Sequence, residues 1–187
     1  DSGVATRPIQ DFSVYRQRLS EFVYNSALMM KPIFAQAKAD PKRIAYAEGE
    51  DLRVLRAVQT LVDEDMARPI LIGRRDIIER RLQKAGLRIR PDIDFDIVNP
   101  ESDERYRECW TAYHKLMVRR GITPALAKEA LRRKPTVIGA MLLKLGYADG
   151  MICGMTGQYS HHLGVVSQVI GKRPGVNTIA AMNYLML

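Results

Sequence analysis

The chain lacks several features that would assign it to a familiar class at once. It holds only two cysteines, Cys109 and Cys153, and their separation matches no metal-ligand spacing. This argues against a disulfide framework and predicts a reducing, cytoplasmic location. No apolar run reaches the length of a membrane span, and the first residues lack the order of a signal peptide. We therefore expect no membrane partner.

Aromatic residues are also scarce, at 7% of the chain, although the net charge is +8. The charge alone suggests a nucleic-acid partner, but the basic residues are scattered through mixed-sign helical patterns at 74–84 and 119–134. Few aromatic side chains are available for base stacking. We expect no nucleic acid: a phosphorylated small molecule suits this surface equally well, and solvated helix faces are the simplest explanation.

What the sequence does contain is a repeating strand and helix pattern. The apolar content is 47%, which is typical of a folded globular protein. Short apolar strands are predicted at 43–47, 69–73, 94–98 and 148–152. Helices are predicted at 52–62, 76–86, 103–120 with Ser102 as N-cap, 124–134 with Pro124 in its first turn, 136–145 and 159–170. This order predicts an α/β fold, a mostly parallel sheet with helices on both faces.

The first forty residues read differently and are predicted to be a helical linker, residues 1–40, ahead of a domain at 41–187. Apolar residues recur there at helical spacing, and Pro32 inside the pattern predicts two helices or a kinked one. The chain begins at Asp1 and stops at Leu187 within the apolar segment 180–187. We therefore expect a fragment of a larger two-subdomain unit.

The most informative stretch is residues 148–157, which read ADGMICGMTG. A strand opens there into a glycine-rich loop and then a helix, the arrangement that aims backbone N–H groups at phosphate or carboxylate. Glycines also suit any tight strand-to-helix turn, so this pattern leaves both interpretations open. Ligands of such folds bind beyond the carboxyl ends of the strands, which selects the loops 48–53 and 153–162. The candidate anion-binding residues are Cys153, Gly154, Thr156, Gly157, Gln158, Tyr159, His161 and Arg53.

Single residues in these loops also have simpler interpretations. His161 and His162 are adjacent on a helix, point in different directions and make a poor chelating pair. One is expected to face the cleft and the other solvent or a neighbouring subunit. Cys153 is expected to be packed rather than nucleophilic. Arg53, at the start of a helix beside Glu48 and Asp51, could hold a ligand anion or form an internal ion pair.

Three stretches together resemble the phosphate acetyl/butyryl transferase family. Residues 48–57, EGEDLRVLRA, are similar to the family's P-E-G-x-D-x-R-V-L-x-A opening. Residues 67–73, ARPILIG, resemble its second strand, and residues 148–154, ADGMICG, resemble its A-D-G-M-V-S-G loop. The resemblance runs from about residue 42 to the end and covers the first half of such a domain.

Finer details resemble one subgroup, the transacetylase-like C-terminal domain of bacterial multidomain NADP-dependent malic enzymes. They are the connector 1–9, the helical segments 22–24 and 30–34, and the loop form 151–154. The resemblance implies that NADP and a divalent metal, Mg or Mn, act in malic-enzyme domains outside this chain, with no cofactor in this segment. It also implies acetyl-CoA or a related CoA ester as effector, and a homo-oligomer that is at least a dimer.

The departures from the family concern its cations. Where active transacetylases carry an arginine in L-R-K-x-K-G, this chain has Met117, and where they carry Arg-Pro it has Gly164 and Val165. The polar run after the loop is replaced as well, at 157–161. An arginine fork binds acetyl phosphate and stabilises charge during transfer, and neither methionine nor glycine can. We therefore expect no catalytic residue, no metal site and no transacetylase activity here.

The sequence thus predicts a regulatory, CoA-ester-sensing and oligomerisation domain of an NADP-dependent malic enzyme, which oxidatively decarboxylates malate to pyruvate. One alternative is an active phosphate acetyltransferase in which other cations, such as Arg53 or Lys172, replace the missing pair. Another is a purely structural dimerisation module. A nucleic-acid binder is the most distant alternative, and it predicts steeply salt-dependent retention of DNA or RNA.

Overall fold

Four short strands form the centre of the molecule. The computed structural model describes the backbone of residues 11–181 and their side chains apart from 17–29. All neighbouring strands pair in parallel, in the order β3-β2-β1-β4. The strands are β1 (Lys42–Tyr46), β2 (Ala67–Ile72), β3 (Asp96–Val98) and β4 (Gly150–Ile152). The predicted parallel sheet is confirmed.

Of the seven α-helices in the described range, six precede or connect the strands and the last follows β4. Local signals set several ends: the Thr123 hydroxyl accepts from Leu126 N at 3.3 Å, and Gly86 ends a helix at φ 64°. The helices are α1 (Phe12–Ala39), α2 (Leu52–Asp63), α3 (Arg75–Ala85), α4 (Tyr106–Met117), α5 (Pro124–Arg133), α6 (Pro135–Lys144) and α7 (Tyr159–Val169); the 3₁₀ turn Val118–Arg120 follows α4.

Helices cover both faces of the sheet, as predicted. Successive side chains of a strand point to opposite faces, so Ile70 and Ile72 of β2 pack in one apolar cluster and Leu71 in another. The first cluster includes side chains of α4, α5, α6 and α7, and the second those of α2 and α3. Residues 136–142 of α6 are all buried, because this helix lies between the sheet and other helices. Its uniformly apolar sequence follows from that position.

Residues 12–39 form one helix that contains Pro32, so of the two predicted alternatives, two helices or a kinked one, the single helix is found; a proline removes one backbone hydrogen bond, which a 28-residue helix tolerates. The predicted start of a later helix is wrong. The helix predicted at 103–120 with Ser102 as its cap begins only at Tyr106. Turns occupy the preceding residues, where the Asp103 carboxylate accepts from Arg105 N at 2.9 Å and also binds that residue's guanidinium.

The order of the strands creates a crevice. The chain runs from β1 outward through β2 to β3 and then returns to the other side of β1 as β4. The loops that leave β1 and β4 therefore diverge at neighbouring strand ends, which is where open α/β sheets bind ligands. Both loops selected from the sequence, 48–53 and 153–162, start at this point.

The helix α1 precedes the sheet and leaves much of its described surface exposed, including Phe12, Ile33 and Phe34. Lys38, in its last turn, forms an ion pair with Glu64 at 2.8 Å. None of the helices described for residues 11–181 combines the length and the apolar character needed to cross a bilayer.

Candidate functional site

A cleft of about 470 Å³ opens at the carboxyl ends of β1 and β2. Its walls come from the loop after β1, the start of α3, the ends of α5 and α6 that meet at residue 135, and the glycine-rich loop, residues 153–158, which connects β4 to α7. The lining residues are Ala47, Glu48, Glu50, Asp51, Ile72, Gly73, Arg74, Arg81, Pro100, Glu101, Arg132, Pro135 and Thr156. The volume is that of a small-molecule site.

The glycine-rich loop is attached to β1 through Glu48. The Glu48 Oε1 atom accepts a hydrogen bond from Gly154 N at 2.9 Å, across 106 positions of sequence. Gly154 has φ 99° and Gly157 has φ 94°, a region that side-chain-bearing residues rarely adopt. A charge-assisted bond to a backbone N–H is among the stronger kinds. The Glu48 carboxylate thus positions the start of the loop.

Arg53, a candidate anion ligand, is held by an internal ion pair. Its guanidinium binds both carboxylate oxygens of Asp51, at 3.0 and 2.9 Å, and its Nη2 lies 3.5 Å from the Met155 carbonyl oxygen. Through these hydrogen bonds Arg53 lowers the pKa of Asp51 to about 2. The internal ion pair that was one interpretation of Arg53 is present, and it places Arg53 against the glycine-rich loop; anion binding by Arg53 stays a prediction.

Glu50 organises the opposite wall. Its two carboxylate oxygens accept from Arg74 Nε and Nη2 at 2.9 and 3.0 Å, and this pairing lowers the pKa of Glu50. Arg81 donates to the Glu50 backbone carbonyl. The preceding Gly49 is buried against β2, where an added Cβ would lie 2.8 Å from Ile72 N and O. The glycine is therefore required because the loop runs directly over the strand.

The cleft carries both charge signs. Its lining contains the cations Arg74, Arg81 and Arg132 and the anions Glu48, Glu50, Asp51 and Glu101. The Arg132 guanidinium carbon lies 5.5 Å from the centre of the Tyr106 ring. Among the salt bridges of the described residues, none involves Arg81 or Arg132. These two arginines are the side chains best able to add an anionic ligand to their present contacts.

His162 connects the glycine-rich loop to α6. Its Nε2 lies 2.7 Å from the Thr156 carbonyl oxygen, and its Nδ1 lies 2.8 Å from Thr136 Oγ1. A carbonyl only accepts, so Nε2 carries the proton, and in the neutral ring Nδ1 accepts from the threonine hydroxyl. The adjacent His161 is exposed. The expectation that the two histidines point differently is confirmed, and His162 acts on the loop.

The remaining candidate residues do not converge on the cleft. Thr156 lines it, whereas the Tyr159 side chain is 67% exposed and Gln158 precedes α7 without a side-chain cap bond. Burial, and secondarily the nearby Glu48 carboxylate, raise the pKa of the half-buried Cys153 thiol. A thiol with a raised pKa is a poor nucleophile, which supports the prediction that Cys153 is packed.

Several residues of the site were missed from the sequence. Arg74, Arg81 and Arg132 belonged to patterns that indicated solvated helix faces, and their convergence depends on the tertiary fold. The signal for Glu48 was present, since it opens the motif at 48–57, but its partner lies 106 residues away. Thr136 had a different signal: it is a polar residue at the start of a mostly apolar helix, and it is buried, with 6% of its surface exposed.

The two positions at which the resemblance places an arginine in active transacetylases, 117 and 164, differ in their surroundings. Met117 is 3% exposed and belongs to the apolar cluster formed by α4 to α7. Gly164 lies on α7, where an added Cβ would meet no atom within 4 Å. Neither residue lines the cleft. Among the side chains that the structure describes, no group of three or more histidine, cysteine or carboxylate residues is arranged to hold a metal ion.

The cleft lies at the switch point of a parallel α/β sheet, and the chain that forms it is similar to known proteins. Residues 28–187 match the family model described as phosphate acetyl/butaryl transferase, and the chain belongs to that family.

The chain is also 55% identical, over all its 187 residues, to the NADP-dependent malic enzyme of Escherichia coli K12, covering 25% of that protein in its C-terminal portion. An NAD-dependent malic enzyme of Rhizobium meliloti is 54% identical over the same length, which is 24% of that protein. The chain therefore spans about a quarter of the length of these curated relatives.

Solved structures confirm the fold. The EutD phosphotransacetylase of Staphylococcus aureus is similar with a TM-score of 0.68 and 27% identity, over 80% of this chain and 45% of that one. A phosphotransacetylase of Streptococcus pyogenes gives the same TM-score with 28% identity and the same coverage. The sheet described above is thus a phosphotransacetylase-like fold that corresponds to part of a larger chain.

Proposed function

We propose that this chain is a regulatory segment of a malic enzyme, one that binds acetyl-CoA or a related CoA ester and has no transacetylase activity of its own. The observation that carries the proposal is the replacement of two family arginines within a retained fold. One position holds Met117, buried in the apolar core, and the other holds Gly164, which has no side chain. The loop scaffold around the cleft is intact.

The missing cations bear on catalysis more than on binding. Transfer of an acetyl group to or from phosphate develops charge that fixed donors must stabilise, and loss of one such donor costs about 3 kcal/mol of transition-state stabilisation. Losing two should therefore reduce turnover by several orders of magnitude. Two nearby cations are poorly placed to replace them, because Arg53 and Arg74 are each bound to a carboxylate, Asp51 and Glu50.

Binding of a CoA ester requires fewer fixed cations than catalysis of acetyl transfer does. The cleft has the volume of a small-molecule site, and Arg81 and Arg132 can face phosphate groups. Pro135 begins α6 beside them, so the positive end of that helix adjoins the cleft, which favours an anion. A ligand that binds one conformational state more tightly than another shifts the equilibrium between them, which is all that a regulatory site needs.

The malic-enzyme reaction itself belongs to the proposal, since the chain covers a quarter of the relatives that bear that name. We place the oxidation and decarboxylation of malate, with NADP and Mg or Mn, in the part of those proteins outside the matched region. The names of these two relatives differ in the nucleotide, NADP in one and NAD in the other. The preference for NADP therefore has to be measured. A homo-oligomer and a cytoplasmic location are proposed with it.

The test uses the full-length protein. Malate-dependent reduction of NADP and of NAD is followed while acetyl-CoA is titrated, and acetyl phosphate formation is assayed in parallel. Arg81→Gln, which removes a cleft cation, should raise the half-inhibitory acetyl-CoA concentration about tenfold, as expected for a lost charged hydrogen bond. Arg80→Gln is the matched control, because Arg80 is exposed on the same helix and pairs with Asp76.

Three results would contradict the proposal in different ways. Robust acetyl phosphate formation would overturn the argument from Met117 and Gly164 and favour an active acetyltransferase. Inhibition that Arg81→Gln leaves unchanged would place the effector elsewhere. No response in either assay, together with a dimer that dissociates when the segment is deleted, would favour a structural dimerisation module.

A further inference from the structure

His162 has a position that neither the family motifs nor the candidate residues explain. It lies in the first turn of α7, is half-buried and uses both ring nitrogens. Of its two partners, Thr136 belongs to the first turn of α6, and Thr156 is in the glycine-rich loop and lines the cleft. One side chain thus joins the loop, the helix that follows it and the most buried helix of the fold.

The chemistry of the three groups fixes the direction of the bonds. Nε2 donates to the Thr156 carbonyl at 2.7 Å, and the Thr136 hydroxyl donates to Nδ1 at 2.8 Å. Thr136 is 6% exposed, and an unpaired buried hydroxyl is costly. The hydrogen bond to His162 Nδ1 gives the Thr136 hydroxyl a partner. This bond, made on the buried side of the ring, therefore orients the imidazole.

The loop is shaped around the same ring. At Gly157, where φ is 94°, an added Cβ would lie 3.1 Å from His162 Nε2 and 3.9 Å from its Cδ2. At Gly154 the nearest atom to an added Cβ is again His162 Cδ2, at 3.9 Å. The two left-handed glycines thus turn the loop over the imidazole. The loop therefore packs against the ring at Gly154 and Gly157 and is hydrogen-bonded to it at Thr156.

We infer that His162 is a positioning residue that fixes the glycine-rich loop against α6 and so sets Thr156 at the wall of the cleft. It acts through the loop and does not itself touch the ligand. The inference rests on the proposed function where it concerns acetyl-CoA, but its structural part concerns only the loop and α6. It also predicts that a change in the loop on ligand binding is transmitted to the buried helix.

The structural part is tested by hydrogen exchange of the full-length protein. His162→Ala removes two hydrogen bonds and should speed amide exchange in residues 153–158 by about tenfold or more, while β1 and β2 keep their protection. Thr136→Val, which removes only the hydroxyl, should speed exchange less. His161→Ala, at the exposed neighbouring position, should have no effect. His162→Gln retains a donor able to reach the Thr156 carbonyl and should restore part of the protection.

The functional part uses the same variants in the malic-enzyme assay. His162→Ala should raise the half-inhibitory acetyl-CoA concentration about fivefold to tenfold and leave the uninhibited kcat and the KM for malate unchanged. His162→Gln should fall between it and the wild type. The double variant with Thr136→Val should lose little more than His162→Ala alone, because both changes break one connected unit.

The outcomes separate the two proposals. Unchanged loop exchange in His162→Ala, or equal effects of His161→Ala and His162→Ala, would overturn the positioning role. Faster loop exchange, with no acetyl-CoA inhibition of the wild-type protein, would support the structural role and contradict the proposed function. Should His162→Ala fail to fold, Thr136→Val and His162→Gln decide the matter, because each leaves one of the two bonds in place.

Discussion

Gly49 offers a severe test of how the loop after β1 is held over the sheet. In Gly49→Ala, the new Cβ would lie 2.8 Å from both Ile72 N and Ile72 O and 2.9 Å from Leu71 Cβ. Comfortable separations between non-bonded heavy atoms are about 3.5 to 4.0 Å, so something must move by more than half an ångström. Because φ at Gly49 is not in the left-handed region, the prediction depends on packing alone.

The neighbouring strand cannot yield easily. Ile72 belongs to β2, which is paired with β1 on one side and with β3 on the other. The strand is held in two ladders of hydrogen bonds, and Ile72 itself pairs with Val98 of β3, so the loop has to shift, and Glu48 and Glu50 shift with it. Overpacking of a core costs about 1–3 kcal/mol. The cost here should lie at the upper end of that range, because the nearest atoms are the backbone N and O of Ile72, which move less easily than a side chain.

Gly164→Ala is the matched control, because it makes the same change where an added Cβ meets no atom within 4 Å. In the interior of α7, alanine is favoured over glycine by about 0.5–1 kcal/mol. The two substitutions should therefore differ in sign. Amide exchange of β2 in the full-length protein measures both, and 3 kcal/mol corresponds to a rate increase of about 100-fold. A Gly49→Ala protein within 0.5 kcal/mol of wild type would refute the reasoning.

Three further predictions concern charge. Asp149 forms an ion pair and hydrogen bonds with Arg43 that lower the pKa of its carboxyl group to about 2. The stability that this pair supplies is therefore complete at pH values above the ordinary carboxyl pKa and is lost as the pH falls toward 2. The difference in unfolding free energy between wild type and Asp149→Asn should shrink over that interval in an acid titration. Glu48→Gln should lower the pKa of the Cys153 thiol and speed its alkylation at pH 8, while buried Cys109, whose pKa is about 11, stays unreactive. Met117→Arg should cost roughly 3–5 kcal/mol, the penalty of an unpaired buried charge, seen as a lowered Tm, without restoring acetyl phosphate formation.

Much of the scaffold was predictable from the sequence because its signals are local. Thr123 caps α5 through a bond to a residue three positions on, and the short apolar strands read as buried because both faces of the sheet are covered. The start of α4 was not predictable in the same way. Ser102 is a good cap by type, but Asp103 and Arg105 bind each other and hold this stretch in turns, so one local preference competed with another.

The candidate site was likewise predictable where its contacts are local in sequence and unpredictable where they join distant residues. The two loops were predicted from the rule that ligands bind beyond the carboxyl ends of strands, and the pairing of Arg53 with Asp51 spans two positions. The bond from Gly154 to Glu48 spans 106 positions, and that between Thr136 and His162 spans 26. No periodicity or motif encodes such pairs, since they depend on which strand ends and helix turns the fold places side by side.

Residue types and their spacing along the chain were sufficient to predict the class of fold and the family. They were not sufficient to predict the surroundings of positions 117 and 164 or the lining of the cleft. The fold buries Met117 in apolar packing, leaves space at Gly164, and brings Arg81 and Arg132 from separate helices to one cleft. Packing and long-range electrostatics depend on distances in space, which a sequence specifies only through the fold it adopts.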